Sequence, residues 1–180
     1  MTSTDIIRQK IVKKNKFFFY IILMLVLSLG LASVASANEH MNKPTKDIIE
    51  TAVDAGSFKT LAAALTAADL IDTLKGPGPF TVFAPTDDAF AKLPAGTLDN
   101  LLKPENKDQL TSILKFHVVG AKFPASCVIV VKDFISLQGQ PLAVTLMNDK
   151  VYIENATITT TDIWATNGVI HVIDTVMLPK

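Results

Sequence analysis

The side chains of this chain whose types could do chemistry are few: His117 and His171, the adjacent acids Asp87 and Asp88, and Cys127. A histidine acting as general base or metal ligand needs a partner carboxylate or further ligands within reach. No HExxH, no GxSxG and no Cys/His/Asp cluster at zinc-ligand spacing surrounds either histidine. Both instead interrupt apolar runs, Leu114 to Val119 and Val169 to Leu178. Burial there favours a neutral, hydrogen-bonded imidazole, so a structural role is expected for each. Asp87 and Asp88 follow Thr86 at a predicted helix start, where Thr86 caps the helix and the two acids complement its positive end. Cys127 stands beside Val128-Ile129-Val130-Val131 and is the only cysteine, so an inert packing role is expected and no intrachain disulfide can form. No catalytic residue, metal or cofactor is expected. One stretch suits recognition: Asp162, Ile163 and Trp164 place an acid, a branched apolar and a large aromatic side chain together after a run of threonines. The competing reading is that Asp162 and Ile163 end a strand and pack its edge.

These residues need elements to hold them. Ile48, Ile49, Ala52 and Val53 follow helical spacing up to Gly56. Ser57 is expected to cap a second helix with Phe58, Leu61, Ala62 and Leu65 on one face, and Asp69 to Leu74 a third. Gly76-Pro77-Gly78-Pro79 then breaks the helices and delivers the chain to a strand over Phe80 to Ala84, ended by Pro85. Short helices are predicted over Thr86 to Lys92 and Thr97 to Leu102, and an amphipathic one after Asn106. Beyond Phe116 the period moves toward two. Val128 to Val131, Ile135 to Leu137, Leu142 to Leu146, Val151 to Glu154, Thr157 to Thr160 and Val169 to Met177 are the predicted strands, with Asn167-Gly168 a turn before the last. Helices first and strands afterwards indicate an α+β fold.

The first 37 residues read differently. Arg8, Lys10, Lys13, Lys14 and Lys16 precede an apolar run from Phe17, and Ala35-Ser36-Ala37 closes it, the order of a secretory signal. Residues 38–45 form a polar tether and 46–180 one domain. Cleavage after Ala37 leaves a mildly acidic protein of net charge about −4 with no basic patch, so nucleic acid is not an expected partner. The expected location is secreted, periplasmic or at the cell surface, with the membrane touched only through the signal segment if it is uncleaved. Asn155-Ala156-Thr157 fits a glycosylation sequon.

Phe80 to Phe90 (FTVFAPTDDAF) and Ala165 to Pro179 (ATNGVIHVIDTVMLP) resemble the two signature segments of the fasciclin domain, a secreted module of cell-surface and matrix adhesion proteins. Leu114 to Val119 resembles that family's tyrosine-histidine segment, with Phe116 in place of the tyrosine, and Ser136-Leu137-Gln138-Gly139 resembles its strand-turn. The resemblance implies N-terminal helices packed on a C-terminal β-sheet wedge or sandwich. Thr86, Asp87, Phe116, His117, Asn167, Gly168 and His171 are its structural motif residues. It also implies a non-enzymatic adhesion or matrix-interaction module whose partner is a cell-surface or matrix protein or polysaccharide. Asp162-Ile163 stands where an Asp-Ile motif of animal fasciclin domains is linked to integrin recognition. A second function follows from the same resemblance, because some secreted fasciclin-like proteins carry carotenoid-like apolar ligands.

Overall fold

The computed structural model describes residues 43–179. The predicted signal segment, residues 1–37, and the first part of the tether lie outside the described residues. Helix α1 (Ile48–Asp54) opens on a capping box: the Asp47 carboxylate accepts from Glu50 N at 2.8 Å, and the Glu50 carboxylate accepts from Asp47 N at 3.2 Å. Helix α2 (Lys59–Ala67) buries Leu61, Ala64 and Leu65. Helix α3 (Ile71–Lys75) begins two residues later than its sequence suggests, because Asp69 sits in the left-handed region at φ 53°.

Ser57 does not cap α2. Phe58 occupies the cap position without a side-chain bond, and the carboxylate of Asp87 accepts from Thr60 N at 2.8 Å instead. The Thr60 N–H holds the Asp87 carboxyl below its ordinary range. Thr86 does cap its own helix α4 (Asp87–Ala91), accepting from Ala89 N at 3.2 Å. The acid expected to serve α4 thus also serves a helix 27 residues earlier in the chain. Replacing Asp87 by alanine should lower stability by about 1–2 kcal/mol, the range for a lost N-cap, and Asp87→Asn by less. Urea unfolding of the two variants checks this, and equal losses would mean that the carbonyl oxygen of the cap is not what counts.

Helices α5 (Thr97–Leu101) and α6 (Lys107–Phe116) complete the helical layer. The sheet has seven strands in the order β2-β1-β7-β6-β5-β4-β3. They are β1 (Phe80–Pro85), β2 (Val118–Val119), β3 (Asp133–Ile135), β4 (Pro141–Met147), β5 (Lys150–Ile153), β6 (Ala156–Ala165) and β7 (Gly168–Ile173). All neighbours run antiparallel except β1 and β7, which are parallel and central to the fold. Leu137 N donates to Val118 O at 2.7 Å and Val119 bridges Ser136, so the two outer strands meet and the sheet curls almost shut.

That curl gives β1 and β7 two buried faces, which is why both read as continuous apolar runs. Val82, Ala84, Ile170 and Val172 pack with the helices. Phe83 and Ile173 point the other way, into a second core with Phe116, Phe134, Leu142, Ile153 and Met177. This is the expected α+β arrangement, with helices α1 to α5 and most of α6 on one side of a wedge-like sheet.

Four strand expectations shift or fail: β3 covers Asp133–Ile135 instead of Ile135 to Leu137, β6 runs on past Thr160 to Ala165, and two others change more. Val128 to Val131 is not a strand: Ala125–Val128 forms a one-turn helix, α7, followed by a turn in which Val130 is 76% exposed. Pro124 starts that turn and Asp162 of β6 caps it, so tertiary contacts override the β-branched run. Cys127 accordingly lies half-buried on a helical turn and not beside a strand. The last strand stops at Ile173: beyond it Asp174 N still donates to Thr157 O at 3.1 Å, but the Asp174 carboxylate takes the place of a main-chain carbonyl and accepts from Thr157 N at 2.8 Å.

Candidate functional site

His171 lies on the face of β7 turned away from the helices, stacked on Phe83 with ring centroids 5.7 Å apart. Its Nε2–H donates to Phe123 O at 2.8 Å, and its Nδ1 accepts from Asp162 N at 3.3 Å. Burial pushes its pKa down, against the opposing pull of the Phe123 carbonyl and the Asp162 charge, and the ring is neutral at pH 7. Asp162 sits in an irregularity of β6, between Thr160↔Val172 and Ile163↔Ile170, with φ 58°. The bulge turns its carboxylate onto Ala125 N at 2.8 Å. Thr81 of β1 donates its hydroxyl to Ala121 O at 2.6 Å and accepts from Phe123 N at 2.9 Å. Thr81, Asp162 and His171 together therefore pin the segment from Ala121 to Ala125 by its backbone. Sequence reasoning missed Thr81, although a lone hydroxyl in the apolar run Phe80 to Ala84 was the available signal.

His117 is buried throughout, and burial holds its pKa at about 4 in spite of the Ile113 carbonyl. Its Nδ1–H donates to Ile113 O at 2.8 Å and its Nε2 accepts from Met177 N at 3.0 Å. One side chain thereby joins α6 to the tail after β7, while the His117 carbonyl accepts from Phe83 N at 2.9 Å. Both rings have both nitrogens engaged by backbone, which leaves neither free as a base or a ligand. Among the described residues no group of three His, Cys, Asp or Glu side chains is placed to hold a metal ion.

Asn167 joins three elements. Its Oδ1 accepts from Ile48 N at 3.0 Å, the first turn of α1, and its Nδ2 donates to Leu74 O at 2.7 Å and Gly76 O at 3.0 Å beyond α3. Its own carbonyl accepts from Phe80 N at 3.0 Å. Gly168 is already the first residue of β7, paired with Phe80 of β1. A Cβ there would run into the Phe80 carbonyl oxygen and stand 2.7 Å from Ile48 Cδ1. Close approach of two backbones, not the turn itself, requires this glycine.

Of the three residues proposed for recognition, the structure brings Asp162 and Ile163 inward and leaves Trp164 out. Ile163 is partly buried against the helical core, whereas Trp164 is 43% exposed with Lys122 Nζ 4.6 Å from its ring centroid. The indole lines an open groove of about 260 Å³ with Lys43, Pro44, Thr45, Lys46 and Thr51.

The family model of the fasciclin domain matches residues 56–179. The chain belongs to the fasciclin domain family. Protein sll1483 of Synechocystis sp. is 52% identical to it over 73% of each chain, and protein sll1735 of the same organism 48% identical over 73% of this chain and 97% of its own. Transforming growth factor-beta-induced protein ig-h3 of Sus scrofa is 36% identical over 77% of this chain, which spans only 20% of that larger protein. Among solved structures, the fasciclin domain pair of the insect cell adhesion molecule fasciclin I shares the fold, with a TM-score of 0.67 at 18% identity over 76% of this chain and 52% of that one.

Within the fasciclin domain seen here, each signature segment has a positional task. The first carries Thr81, Thr86 and Asp87, the anchors of the 121–125 segment, α4 and α2. The last carries Asn167, Gly168 and His171, the anchors of α1, β1 and the 121–125 segment. Phe116 closes α6 within the second core, where a phenol would have to find a polar partner among Phe83, Val119 and Met177. Helix α1 precedes the matched range, yet its Ile48 and Ile49 belong to the helical core.

Proposed function

We propose that the chain is an exported, non-enzymatic interaction module of the fasciclin type that attaches to a cell-surface or matrix protein or polysaccharide through the surface around Trp164. Family membership supports the adhesion class. The observation that carries the reading is the state of the chemically capable side chains: His117, His171, Asp87 and Asp162 are each committed to backbone groups, whereas Trp164 faces solvent. Asp162 and Ile163 then serve this surface indirectly, by setting the bulge from which Trp164 projects. The charged-apolar-small order of residues 1–37 supports export to a secreted, periplasmic or cell-surface location. Among the described residues no helix is long and apolar enough to cross a membrane.

Trp164→Ala is expected to weaken attachment of the protein to its native surface by about tenfold or more, the effect of losing an aromatic anchor, with melting unchanged within about 2 °C. Asp162→Ala is a poorer probe, since Ala125 N–H would lose its acceptor. Equal attachment by wild type and Trp164→Ala would end the reading. The apolar-ligand alternative predicts visible absorbance that copurifies with the protein. An apolar hollow lined by Ile49, Phe58, Leu61 and Leu65 encloses about 10 Å³, too little for a carotenoid-like molecule.

A further inference from the structure

We propose that the groove beside Trp164 is a subsite for an acidic polysaccharide, with a uronate ring against the indole and its carboxylate among lysine ammonium groups. The inference rests on the reading of this surface as the attachment site and names the chemistry of the partner. Three lysines, Lys43, Lys46 and Lys122, lie on or beside the groove in a domain that is otherwise net acidic. Lys46 pairs with Asp54. Lys43 makes no ion pair among the described residues, and Lys122 has its ammonium held over the ring.

Asp54 and Glu50 both act on the Lys46 ammonium, so Lys43 and Lys122 carry the positive charge offered at the groove. Asp47 and Glu50 spend their carboxylates on each other's backbone N–H in the capping box of α1. Thr45 and Thr51 add hydroxyls along the lining, and Pro44 and Trp164 add apolar walls. The exposed part of the indole suits the C–H face of a pyranose ring, hydroxyls suit its rim, and the ammonium groups of Lys43 and Lys122 suit a carboxylate at its edge. A neutral glycan would use only the first two. An open groove also suits a chain that enters and leaves, as an internal sugar of a polymer does.

Trp164 is the only tryptophan in the chain, so its fluorescence reports this groove alone. Titrating the purified full chain with polygalacturonate should shift or quench that emission. The affinity should fall at least tenfold in the Lys43→Glu/Lys122→Glu variant, which keeps the fluorophore, and should fall similarly on raising salt to about 0.5 M, where the Debye length is a few ångström. Dextran, which is neutral, should give no response. Trp164→Ala, followed by affinity electrophoresis in polygalacturonate gels, should lose retardation. An equal response to dextran, an unchanged affinity in the double-lysine variant, or a response only to anionic phospholipid vesicles would overturn the proposal. Trp164-dependent attachment that persists without polygalacturonate binding overturns this inference alone, whereas loss of Trp164 dependence in attachment overturns the function it rests on.

Discussion

Gly168→Ala is expected to destabilise the domain by about 3 kcal/mol or more, or to prevent its accumulation as folded protein. The added methyl meets the Phe80 carbonyl oxygen and Ile48 Cδ1, so relief requires β1 and β7 to part or α1 to lift. Neither movement is local. Phe80 to Pro85 pairs with Gly168 to Ile173 residue by residue, and that parallel pair separates the two hydrophobic cores. Asn167 sits on the same joint with three side-chain bonds to α1 and the end of α3, and each depends on its present distance from Phe80. Gly120→Ala provides the comparison. Its added Cβ would meet only Leu137 Cδ2 at 3.2 Å, the tip of a flexible and partly exposed side chain. Urea unfolding of both variants measures the difference, and a Gly168→Ala protein within about 1 kcal/mol of wild type would show that the two strands yield easily.

The second large effect is acid lability between about pH 6.5 and pH 4. Unfolded, His117 takes up a proton near its ordinary pKa of 6.5, and folded it does so only at about 4. Between those values the unfolded chain binds the extra proton, so each step down in pH favours unfolding. Above pH 6.5 both states are neutral at this site and the term is constant. The loss reaches about 3 kcal/mol at pH 4 and levels off below it.

The structure gives the reason in hydrogen-bond terms. Nε2 of His117 accepts from Met177 N, and a proton placed on Nε2 would set donor against donor in a buried site. His171 repeats the conflict, since its accepting Nδ1 faces Asp162 N, and its lowered pKa adds loss over the same side of neutrality. Asp87 acts in a separate window. Its depressed pKa contributes stability above an unfolded value of 3.8, lost as pH falls further through the folded one. Melting temperatures measured from pH 7.5 to 4.5 should therefore fall, and His117→Gln, less stable at neutral pH, should show a shallower fall. A parallel fall in wild type and variant would remove His117 as the cause.

Much of this fold was legible because its elements announce themselves locally. Thr86 before two acids, Pro85 after a β-branched run, and the breaker cluster from Gly76 to Pro79 are signals carried by neighbouring residues. The boundaries of β1, α4, α6, β4 and β5 follow within a residue or two. The burial of both histidines was readable for the same reason, since an imidazole inside an apolar run has only buried polar partners to choose from. What the sequence could not reveal were bonds between residues far apart in the chain. That Asp87 caps α2, that Asp162 caps α7, and that Asn167 ties α1 to α3 each depend on which backbone N–H or C=O groups the folded chain brings within about 3 Å.

The same distinction separates the three residues of the recognition stretch. By itself the sequence determined the α+β class, helices first and most strands afterwards, the family, and the presence of an acid, a branched apolar and an aromatic residue side by side at 162 to 164. Only the tertiary structure decided which of them faces outward. Strict alternation along β6 would have placed Asp162 and Trp164 on one face. The irregularity at Asp162, with its left-handed φ, breaks that alternation and turns the carboxylate onto Ala125 while Trp164 stays in solvent beside Lys122. A bulge is fixed by the strand it pairs with and by the loop it must reach, here β7 and the 121–125 segment, and those neighbours exist only once the chain has folded.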